Sequence, residues 1–219
     1  MHALKTSVHK NPNVGLYAYA CSKYCLIGKE VPKDLRKEIE ETLGVPTHPI
    51  SICGTSLLGA FLTGNEKMLL VPENCFEEEL KELDNLKIEY TVIPTHLTCL
   101  GNNILCNDTF AYVNPEYSDA AIEMIEQALG VRAKKMTLAG TPTPGSLGVL
   151  SHGKGLIGQD VSLSELLSIQ QDFDVEVETG TMNFGSPFVR SGLVVTKHGF
   201  VAGDMSTGVE LTTADEAFR

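Results

Sequence analysis

Hydrophobic positions in this chain recur in short blocks with a long period. Five apolar runs stand out: Tyr24 to Gly28, Met68 to Pro72, Phe110 to Asn114, Gly155 to Gly158 and Gly199 to Gly203. Their starts lie 44, 42, 45 and 44 residues apart, a period that marks radial or solenoidal arrays. A turn-like pair precedes each run: Ser22-Lys23, Gly64-Asn65, Asn107-Asp108, His152-Gly153 and Lys197-His198. Each block therefore predicts a β-hairpin whose second strand is the apolar run. Helical spacing follows in Leu35/Ile39/Leu43, Phe76/Leu80/Leu83, Ile122/Ile125/Leu129, Leu163/Leu166/Leu167 and Leu211/Ala214/Phe218. Asn74 with Glu77, Ser162 with Glu165 and Thr207 with Glu210 have the spacing of reciprocal helix caps.

After the first four helices, residues 47–53, 88–93, 132–138 and 175–179 read as a third, β-rich strand. The fifth block ends at its helix without one. Residues 3–8 have strand character but no helix before them, so the N-terminal strand is expected to complete the last unit. That closure removes two open sheet edges. The predicted fold class is α/β, a five-fold pseudo-symmetric closed ring of five ββαβ repeats in one domain, residues 1–219. Repeat boundaries fall near 10–53, 54–95, 96–139, 140–184 and 185–219, with 1–9 added to the last.

Composition narrows the functional classes. Seventeen Lys and Arg against 28 Asp and Glu give a net charge of −11, so the chain lacks the broad basic footprint of a general DNA or RNA binder. Any nucleic-acid contact must be local. Runs such as Glu77-Glu78-Glu79 read as solvated helix faces. The longest apolar stretch, Leu57 to Leu62, is far short of the roughly 20 residues that cross a bilayer. The N-terminus lacks a secretory core, so the six cysteines are expected as free thiols in the cytoplasm. Cys21/Cys25 and Cys99/Cys106 have the wrong separation for a zinc site, and Cys53 and Cys75 stand alone in sequence. Cys25 and Cys53 read as small buried hydrophobes.

Five segments taken together resemble one family. Ser51-Ile-Cys-Gly-Thr, Met68-Leu-Leu-Val-Pro, Leu100-Gly-Asn, Cys106-Asn-Asp and Gly180-Thr-Met-Asn leading to Gly185-Ser186 are similar to the translation initiation factor 6 family, and the five-unit ring resembles the pentein fold. The chain stops at Arg219 and looks like the archaeal form, without the C-terminal tail of eukaryotic members. The resemblance implies a monomeric cytoplasmic protein that binds the large ribosomal subunit and sterically blocks the small one, with a link to large-subunit biogenesis. Its partners would be ribosomal proteins, with a local rRNA contact such as the sarcin–ricin loop, and neither membrane nor DNA. No catalytic residue, cofactor or metal is implied. Glycines near each hairpin start, Gly15, Gly59, Gly101, Gly145 and Gly185, are expected to crowd a central axis. Leu16, Ala60, Asn102, Leu147 and Phe188 would then form one ribosome-binding face.

Two alternatives remain. Other penteins are guanidino-modifying enzymes with a nucleophilic Cys near the C-terminus, but the last cysteine here is Cys106, leaving 113 residues without one. Gly140 to Ser146 has the glycine spacing of a phosphate loop but lacks its Lys, and reads as a rigid connector. The other alternative is a protein-binding scaffold unrelated to ribosomes.

Overall fold

A computed structural model gives the architecture and describes residues 2–219. From the N-terminus come β1 (His2–Thr6), a 3-10 turn (Val14–Leu16), β2 (Ala18–Ala20), β3 (Cys25–Gly28), α1 (Lys33–Leu43), β4 (Thr47–Ile50) and the short α2 (Leu58–Phe61). There follow β5 (Thr63–Gly64), β6 (Leu69–Pro72), α3 (Glu77–Asn85), β7 (Tyr90–Ile93), the short α4 (Leu100–Asn103), β8 (Ile104–Cys106), β9 (Phe110–Val113), α5 (Asp119–Leu129) and β10 (Arg132–Lys135). The remainder holds a 3-10 turn (Pro144–Leu147), β11 (Gly148–Ser151), β12 (Lys154–Gly158), α6 (Leu163–Phe173), β13 (Glu176–Gly180), the short α7 (Val189–Gly192), β14 (Leu193–Val195), β15 (Gly199–Gly203) and α8 (Gly208–Phe218).

The strands form five three-stranded sheets. In each, the apolar run is the central strand, antiparallel to its hairpin partner and parallel to the third strand. Central strands are covered on both faces, which is why they read as unbroken apolar runs. The N-terminal strand does complete the last sheet: β1 pairs parallel with β15, His2 opposite Gly199.

Each long helix lies against the sheet of the preceding unit. Ile39 and Leu43 of α1 pack with Val194 and Val201 of the fifth sheet, and Leu83 of α3 packs with Leu26 and Ile50 of the first. The same relation gives clusters around Ile125, Phe173 and Phe218. The hydrophobic core is thus five interfaces, each shared by neighbouring units. In α6 the buried stripe is Leu166, Ile169 and Phe173, whereas Leu163 and Leu167 face solvent. Periodicity chose the wrong Leu pair because it registers spacing, not which side carries the neighbouring sheet.

The short helical turns meet around the axis in cyclic order. A Cβ on Gly59 would collide with the carbonyl of Gly15, one on Gly101 with that of Gly59, and one on Gly145 with that of Gly101. Gly15 in turn lies against the carbonyl of Arg190. Position five of this set is therefore Arg190, not Gly185, which sits in an open turn at φ 97°. The Arg190 side chain crosses the axis and donates to the carbonyls of Gly59 (Nε, 3.3 Å) and Leu62 (Nη2, 3.1 Å). Burial pushes its guanidinium pKa down.

Consecutive units are also held by a buried or half-buried carboxylate. Glu79 accepts from the amides of Cys53, Gly54 and Phe76. Glu165 accepts from Ala139 and Ser162, and Glu210 from Phe184, Gly185, Thr207 and the Thr181 hydroxyl. Each joins a left-handed turn leaving one sheet to the helix N-terminus of the next unit. The caps at Ser162 and Thr207 form as expected, but α3 begins at Glu77 with Phe76 as its cap, so the Asn74–Glu77 pairing does not occur. Glu79 is 5% exposed and does not belong to a solvated acidic face. At Glu210, burial acts to raise the carboxyl pKa, but the four donors outweigh it and hold it at about 2.

These contacts set two expectations. Gly101→Ala should cost about 1–3 kcal/mol or more through overpacking against backbone, whereas Gly208→Ala, with open space at the first turn of α8, should stay within about 0.5 kcal/mol of the parent. Denaturant unfolding of the two variants checks this. The depressed folded-state pKa of Glu210 means that its contribution is fully present above pH 4.5, the ordinary value, and is lost as pH falls toward about 2. Glu210→Gln should therefore lower stability at pH 7 by roughly 2–3 kcal/mol, with the gap from the parent shrinking in the same titration at pH 3.

Candidate functional site

Five tight turns and five short helical turns make up one end of the molecule. The turns are marked by isolated bridges at Val8/Asn11, Ile52/Thr55, Leu138/Thr141 and Met182/Ser186, with the third unit using residues 94–97. Each leads to a helical turn whose cap is Asn13, Leu57, Cys99, Thr143 or Phe188. One residue past the axial position come Leu16, Ala60, Asn102, Ser146 and Ser191.

The five sequence-predicted positions are brought to this end but not equally displayed. Phe188 is 44% exposed, and Leu16 and Asn102 are half-buried. Ala60 is 7% exposed and offers little more than backbone. Leu147 is 2% exposed and packs with Leu105, Ile157 and Phe173. It lies one residue beyond the register position, where the chain has turned back into the core, so Ser146 takes its place. Phe188 is a cap, equivalent to Cys99 and not to Asn102.

Asn102 is presented by a buried polar pair beneath it. Asn114 Nδ2 donates to Asn103 Oδ1 at 2.7 Å, and Asn103 Nδ2 donates to the Cys99 carbonyl at 2.9 Å. This fixes α4, while the Asn102 side-chain amide has no hydrogen-bond partner among the described residues and is free to meet a ligand. At the seam between the last and first units, Asn183 Nδ2 donates to the Pro12 carbonyl at 3.0 Å, and Ser191 Oγ donates to Asn13 Oδ1 at 3.2 Å. Phe184, on the turn held by Glu210, is exposed as well.

Charge is the signal that motif reading passed over. Residues 11–22, 51–64, 91–107, 136–153 and 179–189 contain no Asp, Glu, Lys or Arg. These stretches build the axial turns and run on through the first strands toward the hairpin tips. Around the axial turns the same end is acidic: exposed Glu30, Glu73, Glu116, Asp160 and Asp204 follow the five central strands there, so the axial turns form an uncharged patch inside an acidic rim.

The opposite end of the axis opens at the hairpin tips into a cavity of about 110 Å³ lined by Cys21, Glu66, Cys106, Asp108 and His152 among others. Its chemistry is committed to structure. Glu66 accepts from the Ser22 amide (3.0 Å), and Asp108 from the Glu66 amide (3.1 Å). His152 Nε2 meets Ser22 Oγ at 2.9 Å, and Nδ1 meets Ser151 Oγ at 2.8 Å. Burial pushes the Cys106 thiol up, whereas a nucleophile needs its thiolate favoured. Among the described residues no group of three or more His, Cys, Asp or Glu is placed to hold a metal ion, and no helix is long and apolar enough to cross a membrane.

Comparison with known proteins agrees with the motif resemblance. Residues 3–217 match the eIF-6 family. The chain is 33% identical over 220 residues to Translation initiation factor 6 of Saccharolobus islandicus, covering 99% of both chains. It is 34% identical over 214 residues to the protein of that name from Haloquadratum walsbyi, covering 97% of this chain and 95% of the other. The Pyrococcus horikoshii protein is 30% identical over 223 residues, covering 99% and 98%. A match of this extent, spanning all five units and the axial positions, places the chain in the eIF-6 family.

Proposed function

We propose that this chain is a cytoplasmic translation initiation factor that binds the large ribosomal subunit and sterically keeps the small subunit from joining. The observation that carries the reading is end-to-end similarity to proteins named Translation initiation factor 6. The protein acts by occupying space, without catalysis, and works as a monomeric single domain of the pentein type. The uncharged axial patch supplies the contact. An acidic protein is repelled by rRNA phosphates, and a patch without carboxylates is where that repulsion is weakest. Half-buried Leu16 and Asn102, Ser146 in place of Leu147, the backbone at Ala60, and exposed Phe188 form this surface, rigid enough to bind without a large ordering cost. Ribosomal proteins and a local rRNA element such as the sarcin–ricin loop are its partners.

The test is sedimentation with separated subunits at two salt concentrations, together with a subunit-joining assay. The protein should co-migrate with the large subunit alone and reduce joined particles. Asn102→Glu with Phe188→Glu should weaken large-subunit binding by about 2 kcal/mol or more, roughly 30-fold, with unfolding unchanged within about 0.5 kcal/mol. Glu77→Lys with Glu78→Lys, on the exposed side of α3, should shift the association rate and be softened by salt. Normal binding by the Asn102/Phe188 variant, with loss in the α3 variant, would place the contact elsewhere.

A further inference from the structure

Cys53 and Cys75, separate in sequence and read as unrelated, meet in the fold. Cys53 leaves the first sheet in a left-handed turn (φ 53°) and is half-buried, not a core residue. Cys75 lies in the loop just ahead of α3 and is also half-buried. Their sulfurs are 3.3 Å apart, and the Cys53 thiol lies 3.3 Å from Asn74 Oδ1. The two segments cannot drift apart easily, because Glu79 accepts from Cys53 and Gly54 on one side and from Phe76 on the other. We propose that Cys53 and Cys75 form a redox modification site, converted to an intramolecular disulfide by a small-molecule disulfide oxidant of the glutathione type.

The chemistry balances as thiol–disulfide exchange. The Cys75 thiolate attacks one sulfur of the oxidant, forming a mixed disulfide and releasing one oxidant thiolate. Cys53 loses its proton to solvent and attacks the Cys75 sulfur, releasing the second thiolate. Two protein thiols are oxidised and one oxidant disulfide is reduced to two thiols. Cys75 suits the attacking role, since the hydrogen bond from Cys53 favours its thiolate and lowers its pKa. The other thiols are poorly placed: burial raises Cys25 to about 12 and pushes Cys21, Cys99 and Cys106 up as well. The cross-link would lock the segment running from the first sheet into α2, and with it the Ala60 edge of the axial patch. The inference rests on thiol geometry and is independent of ribosome binding.

The experiment incubates the folded, reduced full chain with oxidised glutathione across a range of reduced-to-oxidised ratios, alkylates it, and reads intact mass and tryptic peptides. Expected is a loss of about 2 Da before reduction and a disulfide joining peptide 38–67, which carries Cys53, to peptide 68–81, which carries Cys75. The oxidised form should melt several degrees higher. Cys53→Ser should stop at a glutathione adduct on Cys75, and Cys75→Ser should form no cross-link. Stable glutathione adducts on the parent chain without the 38–67/68–81 link, oxidation confined to Cys99 or Cys106, or no change at any ratio would each overturn the proposal.

Discussion

Around the axis of this protein, backbone is packed against backbone with no space for a side-chain carbon. The carbonyls of Arg190, Gly15, Gly59 and Gly101 each occupy the place where the next unit's Cβ would stand. This contact sets the distance between units, and much else follows from it. The first strand of every sheet is drawn to the axis, the apolar central strand is covered on both faces, and the long helices are pushed outward over the preceding sheet. The side chain that crosses this centre is Arg190, from the unit that departs from the pattern. Arg190 reaches across to Gly59 and Leu62, making the ring asymmetric where its sequence is irregular.

Since every hydrophobic cluster is shared between neighbours, no unit owns a core, and stability depends on all five interfaces forming together. Hydrophobic burial by itself would tolerate some sliding of one unit over the next. The buried carboxylates remove that freedom, because three or four donors converge on one pair of oxygens only when turn and helix are in register. Glu79, Glu165 and Glu210 thus convert a non-directional attraction into a fixed geometry. The same three residues hold turns that lead to the axial patch, so rigidity there originates in the unit interfaces.

Charge is distributed unevenly over this architecture. Outer helices tolerate Glu and Lys since they face water, whereas four of the five axial positions are confined by backbone crowding to glycine. A neutral patch at the axial turns is therefore a physical by-product of the close-packed axis, and exposed carboxylates such as Glu30 and Asp204 rim it. The projecting side chains there are few, with Phe188 and Asn102 prominent. Both are held from below, Phe188 by the seam of Asn183, Asn13 and Ser191 and Asn102 by the Asn103–Asn114 pair.

Five units, their hairpins and long helices, and the strand exchange between residues 2–6 and β15 were legible in the sequence, because periodic burial on sheets and helices imposes periodic hydrophobicity. The Ser162–Glu165 and Thr207–Glu210 caps were legible too, being local hydrogen-bond chemistry. Four axial glycines were recognisable since only glycine satisfies such an approach. What the sequence could not determine was which neighbour each side chain meets. Glu79 looks solvated until the Cys53–Gly54 turn of another unit lies over it, and Leu147 looks exposed until the chain's return into the core is seen. Arg190 reveals its axial role only through two distant carbonyls. Cys53 and Cys75, 22 positions apart, become a pair only in the fold. Local periodicity is written along the chain, while contacts between units depend on the ring that all of them build together.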